Sequence, residues 1–229
     1  MATVYTLANA KGGCGKSTVA LNLAVCFSRA GYRTLAVDLD QQGNLSAALG
    51  ADLNKLKLTA HRLLIDDQAE IGSFLLKPRP RLKLLPNTID VEADDLLEAK
   101  KVNHELLLRR KLRSVLREFD IVVIDTPPAM RAATLNGLAV ADTVLIPVDG
   151  SSYFALLGLN QLLQVIAAVR DAHKPDMVIR ALTTMFNRRQ AAVTDCTSCV
   201  LRTRNFPDHP SLPPARRTGV RAGKTASYL

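Results

Sequence analysis

Near its N-terminus the chain passes from a β-branched, apolar run, Thr3 to Ala8, into the octet Ala10-Lys-Gly-Gly-Cys-Gly-Lys-Ser17. From Lys16 the apolar residues recur at helical spacing, with Val19, Leu23 and Phe27 expected on one face. A glycine-rich loop set between a strand and a helix constrains the fold more than any other feature here. Glycines let the backbone curl so that successive N–H groups point inward, and the positive end of the helix dipole strengthens the field they make. Such a loop is a cradle for phosphate. Lys16 is expected to reach the β- and γ-phosphates of ATP, and the Ser17 hydroxyl to serve Mg²⁺. Gly12, Gly13, Cys14, Gly15, Lys16, Ser17 and Thr18 are the expected nucleotide contacts.

Further strands are expected at Thr34–Val37, Phe119–Ile124, Val144–Val148 and Val178–Thr183. Helices are expected at Asp94–Lys101, Glu105–Arg117, Ala132–Val140 and Phe154–Ala172. Strands alternating with helices imply βαβ units, hence an α/β fold with a mostly parallel sheet flanked by helices. At 229 residues the chain is expected to form a single domain over residues 1–229, large enough to bury a sizeable core. Ligands of open α/β sheets lie at the carboxyl ends of strands, and carboxylates stand at two of those ends. One end carries Asp38 and Asp40, in Val37-Asp-Leu-Asp-Gln-Gln-Gly-Asn44. The other carries Asp125, in Ile121-Val-Val-Ile-Asp-Thr-Pro-Pro128, where it can hold a magnesium-bound water.

No run approaches the roughly 18 apolar residues of a membrane span. The chain opens almost at once on a strand rather than a basic and apolar leader, so a cytoplasmic protein is expected. Four cysteines, Cys14, Cys26, Cys196 and Cys199, do not suggest a disulfide framework there. The net charge of +9 points to nucleic acid or another anionic surface as a partner. From about Asn187 the sequence turns irregular and proline-interrupted. Between Val200 and Leu229, six basic residues stand against one acidic residue, Asp208.

The loop departs from the commonest phosphate-loop pattern in two places: Ala10 stands where glycine is usual, and a second lysine, Lys11, follows it. This KGGxGK[ST] form resembles the deviant Walker A motif of the ParA/MinD family of P-loop ATPases. The segment around Asp38 resembles that family's DxDPQGN, with Gln41 in place of proline, and the segment at Asp125 is similar to its Walker B strand running into switch II. Ala141-Asp-Thr-Val-Leu-Ile-Pro-Val148 and Tyr153-Phe-Ala-Leu-Leu-Gly-Leu-Asn-Gln-Leu162 continue the likeness, which runs from residue 2 to 187, and Gly223-Lys-Thr resembles a late family motif. The resemblance implies that Lys11 crosses a dimer interface to the partner's ATP. It implies that Asp40 positions or activates the attacking water, and that Asp38 supports the magnesium site held by Ser17 and Asp125. It also implies that Asn187 lies near adenine.

The function expected from these features is an ATP-dependent partitioning or positioning ATPase. Its ATP-bound homodimer would bind DNA without sequence preference, and a ParB-like or cargo-adaptor protein would stimulate its slow hydrolysis. The basic residues Arg188, Arg189, Arg202, Arg216, Arg217 and Arg221 are the candidate DNA surface. Neither an N-terminal helix-turn-helix nor a C-terminal amphipathic membrane anchor is expected from a sequence that opens on a strand and closes on a proline-rich stretch, so neither operator reading nor membrane binding is expected. A second function is open at this point. Cys196 and Cys199 have the spacing of a half-site for an iron–sulfur cluster shared between two subunits, as in related carrier ATPases.

Overall fold

The computed structural model describes residues 2–100, 104–150 and 159–185. At its centre lie three parallel strands, β1 (Thr3–Leu7), β2 (Thr34–Asp38) and β5 (Ile121–Asp125). With β3 (Leu76–Arg79), β4 (Leu82–Leu85), β6 (Thr143–Asp149) and β7 (Val178–Thr184) they make one sheet in the order β3-β4-β2-β5-β1-β6-β7. Every pairing is parallel except β3 with β4. Strand β5 shows why the central strands read as unbroken apolar runs. Ile121 and Val123 face one layer of helices, Val122 and Ile124 the other, and all four are fully buried. Each such side chain contributes about 1.5–3 kcal/mol by leaving water.

On one face pack α1 (Lys16–Arg29) and α2 (Asn44–Ala48). The other face carries α3 (Ala60–Ile65), α4 (Val91–Ala99), α5 (Leu107–Leu112), α6 (Ala132–Ala139) and α7 (Leu159–His173). Helix α1 meets the sheet most closely through Ala20, Ala24 and Ser28, while Val19, Leu23 and Phe27, expected on one face, pack half-buried against the same core beside that contact. Small side chains let the helix that carries the glycine loop lie close against the strands, and the larger residues fill the space beside that contact.

The hairpin of β3 and β4 was not expected, because Pro78 and Pro80 interrupt any strand pattern there. Pro78 fits because β3 is an edge strand, where a missing N–H costs little, and Pro80 falls in the turn between the two strands. The stretch expected as one helix over Glu105–Arg117 is broken into a 3₁₀ turn (His104–Leu106), α5, and a second 3₁₀ turn (Leu116–Glu118). The first break is held open by Asn136 of α6, whose amide donates to the His104 carbonyl while its oxygen accepts from Leu108 N at 2.8 Å. Helix α4 starts earlier than expected because the Asp90 side chain caps it, accepting from Ala93 N at 3.1 Å. Among the described residues no helix is long and apolar enough to cross a membrane.

The register brings the chemistry to one edge. Asp38 at the end of β2 is the direct neighbour of Asp125 at the end of β5, and Leu7, from which the glycine loop departs, is the neighbour of Asp125 on its other side.

Candidate functional site

Gly13 and Gly15 adopt φ of 73° and 90°, left-handed conformations that side chains other than glycine rarely tolerate. Gly15 is the N-cap of α1 and no side chain caps the helix, so its first amides are left for a ligand. The loop is anchored from below on both flanks. The Asn9 amide donates to the Pro147 carbonyl at 2.6 Å and its oxygen accepts from Lys11 N at 2.9 Å. Thr184 Oγ1, at the end of β7, donates to the Cys14 carbonyl at 2.7 Å, and the buried Cys14 thiol donates to the Lys11 carbonyl at 3.2 Å.

Gly12, Gly13, Gly15, Lys16, Ser17, Thr18 and Asp40 line one cleft of about 520 Å³, closed at its sides by Leu21, Pro128 and Met185. Lys16 is nearly buried and donates to the Lys11 carbonyl at 3.3 Å. Lys11 turns away from the cleft: its ammonium pairs with Asp149 at 3.0 Å, with 39% of the side chain exposed. Asn187 and the candidate DNA arginines lie outside the described residues, as do Cys196 and Cys199.

The carboxylates differ in how they are held. Asp38 is buried with both oxygens engaged: one accepts from Ser46 N and Oγ at 2.8 and 2.7 Å, the other from Asp40 N at 3.1 Å. It organises the loop that presents Asp40. Asp40 Oδ1 in turn accepts from Gln42 N at 3.0 Å, which fixes the carboxylate at the cleft wall. Asp125 is fully buried and neither of its oxygens has a hydrogen-bond partner. Burial pushes its carboxyl up to about 7; the Ser17 hydroxyl opposes the shift without closing a hydrogen bond of ordinary geometry, the Asp40 charge adds to it, and Lys16 opposes it. Burial and the Asp125 charge push Asp38 up to about 8, against the hydrogen bonds from Ser46 and Asp40.

A divalent cation fits this arrangement. A buried carboxylate with no hydrogen-bond partner, beside a serine hydroxyl, offers oxygen ligands of the kind such a cation takes. Mg²⁺ is commonly held by one or two protein oxygens together with substrate phosphates, and the described residues contain no cluster of three acidic, histidine or cysteine ligands that would hold a metal alone. In the nucleotide-free protein, the folded state holds the Asp38 and Asp125 protons more tightly than the unfolded chain does. It therefore binds more protons between about pH 4 and pH 8, and its stability falls as pH rises through that window. The urea midpoint should accordingly drop between about pH 5 and about pH 8.5, and Asp125→Asn should flatten the slope. A slope unchanged in Asp125→Asn would show that this carboxyl is not the titrating group.

Asn9, Ser46 and Asp149 were not singled out from the sequence, and Thr184 and Met185 only as part of the stretch Thr184-Met-Phe-Asn187 expected near adenine. Asn9 adjoins the loop and Thr184 lies in a segment resembling the family, but only the fold reveals what either one holds.

Residues 2–179 match a family described as an AAA domain. The sporulation initiation inhibitor protein Soj of Bacillus subtilis is 33% identical over 190 residues, which is 82% of this chain and 75% of Soj. The chromosome partitioning protein ParA of Myxococcus xanthus is 38% identical over 188 residues, 81% of this chain and 66% of that protein's length. A solved structure titled cobyrinic acid a,c-diamide synthase from Mycobacterium smegmatis, with bound ADP and magnesium, superposes with a TM-score of 0.80. It shares 33% identity and covers 90% of this chain and 84% of its own. With the glycine loop, the two strand-end carboxylates and the parallel sheet already in place, these likenesses identify the chain as a member of the ParA/MinD-type family of P-loop ATPases.

Proposed function

We propose that this chain is an ATP-driven partition switch. The observation that carries the reading is the convergence, at the carboxyl edge of the sheet, of the uncapped amides of α1, Lys16, Asp40 and the orphaned Asp125 carboxylate. The loop amides and Lys16 bind the triphosphate, Ser17 and Asp125 hold Mg²⁺, and Asp38 braces the segment that carries Asp40. When bound, Mg²⁺ neutralises charge that develops on the phosphate oxygens. Asp40, fixed by Gln42 N, orients the attacking water toward the terminal phosphate. Lys11 leaves Asp149 to meet the phosphates bound by a second copy, so that ATP bridges a homodimer. The name of the M. xanthus relative, a chromosome partitioning protein, supports DNA segregation as the biological setting, and the M. smegmatis structure with ADP and magnesium supports the ligand set.

In this reading the ATP-bound dimer binds duplex DNA in the cytoplasm through Arg188, Arg189, Arg202, Arg216, Arg217 and Arg221, and a ParB-like or cargo-adaptor protein accelerates hydrolysis. The net charge of +9 and its concentration toward the C-terminus support a polyanionic partner. The cluster-carrier alternative rests on Cys196 and Cys199 alone, and neither relative named above favours it. A salt titration of DNA binding tests the proposal. Retention is expected with ATP and not with ADP, alike for natural and scrambled sequence, with log K falling by about 0.9 per unit log salt for each phosphate neutralised. The triple variant Arg216→Ala/Arg217→Ala/Arg221→Ala should have a shallower slope. Equal binding with ATP and ADP contradicts the switch.

A further inference from the structure

Behind the wall of the cleft, on the opposite layer from α1, a buried histidine reaches the segment that carries the two aspartates. His61 of α3 is 4% exposed, and both of its ring nitrogens are engaged. Nε2 lies 3.0 Å from the carbonyl oxygen of Leu39, the residue between Asp38 and Asp40. Nδ1 meets the Asp94 carboxylate of α4. A carbonyl only accepts, so Nε2 is the donor, and the remaining proton of the pair lies between Nδ1 and Asp94.

The Leu39 peptide is thereby gripped from two sides, since its N–H donates to the Asp125 carbonyl at 2.9 Å. The grip extends into the loop: Asp40 N donates to Asp38, Gln42 N to the Asp40 carboxylate, and Gly43 N to the Asp40 carbonyl at 2.9 Å. Beyond the histidine, α3 and α4 are clasped by Arg62, which pairs with Asp90 at 2.6 Å and Glu92 at 2.8 Å. The Asp90 side chain also caps α4, so the helix bearing Asp94 is itself fixed.

We infer that His61 is a positioning residue for hydrolysis: held by Asp94, it clamps the Leu39 carbonyl and so sets the backbone from which Asp40 faces the cleft. The competing role for a histidine in this place is to fill volume in the core, where Leu39, Leu63 and Leu64 pack around the same layer. The two roles separate experimentally. The clamp needs a donor at the Leu39 carbonyl, whereas filling needs only size. The inference rests on the proposed ATPase reading for its kinetic consequence, but its structural consequence can be measured without nucleotide.

The experiment compares His61→Phe, His61→Gln and Asp94→Ala in the full chain. Phenylalanine keeps the volume and loses the donor, glutamine keeps a donor of similar reach, and Asp94→Ala, at a half-buried position, removes only the anchor. Amide hydrogen exchange without nucleotide should rise about tenfold or more over residues 39–45 in His61→Phe and Asp94→Ala, with β1 and β5 protected as in the wild type. His61→Gln should recover most of that protection. With ATP and Mg²⁺, kcat should fall about tenfold in His61→Phe at unchanged KM, the scale of one lost hydrogen bond that matters in the transition state. Unchanged exchange over 39–45 in His61→Phe overturns the clamp, as does a rise shared equally with β1 and β5. Should His61→Phe fail to fold, the same exchange comparison in Asp94→Ala decides. A wild-type protein that hydrolyses no ATP would count against the ATPase reading while the exchange data still decide on His61.

Discussion

Lys16→Ala should weaken ATP binding about 100-fold or more in isothermal titration and abolish turnover, with little change in melting temperature. The lysine is nearly buried at the floor of the cleft, and its hydrogen bond is to the Lys11 carbonyl at 3.3 Å, a weak local contact. Removing it leaves the loop amides in place and deletes the one cation that, among the described residues, lines the floor of that cleft. Charge-assisted hydrogen bonds contribute about 1.5–3 kcal/mol each, and an ammonium facing a triphosphate makes more than one of them. Lys16→Ala with wild-type affinity would mean that the glycine loop does not bind phosphate here.

Asp40→Ala should leave ATP affinity within a few-fold of wild type and lower kcat by about 10²–10⁴, the usual range for losing a group that orients or activates the nucleophile. Because Asp40 also anchors Gln42 N, alanine disturbs the loop as well as the chemistry. Asp40→Asn separates the two effects: it keeps an acceptor for that amide and loses the charge. Equal loss in both variants assigns the effect to the carboxylate. Full activity in Asp40→Asn would reduce Asp40 to a loop residue.

Much of the site was legible because its chemistry is local in sequence. The glycine loop, the lysine–serine pair and the strand-end aspartates each occupy a few consecutive residues, and unbroken apolar runs such as Ile121–Ile124 mark strands buried on both faces. What could not be read depends on contacts between distant segments. The buried face of α1 follows from how closely the sheet lets that helix approach, which selects Ala20 and Ala24 over Leu23. The break in the stretch after Glu105 depends on Asn136, and β3 depends on being at an edge where Pro78 is harmless. The partners of Lys11 and of the Leu39 carbonyl are Asp149 and His61, neither of which has a spacing or motif that announces it.

The ion pair between Lys11 and Asp149 bears on the central claim, that ATP joins two copies of this chain. A lysine held within its own subunit must exchange that partner for phosphate across the interface, so dimerisation should require both the triphosphate and Lys11. The most direct measurement is the solution mass, by light scattering, of the slow-hydrolysing Asp40→Ala protein with Mg²⁺. With ATP the mass should rise from 24.9 kDa to twice that value, with ADP it should not, and Asp40→Ala/Lys11→Ala should stay at the monomer mass with either nucleotide. A monomer mass for Asp40→Ala at saturating ATP, or a dimer that forms equally without Lys11, would contradict the account.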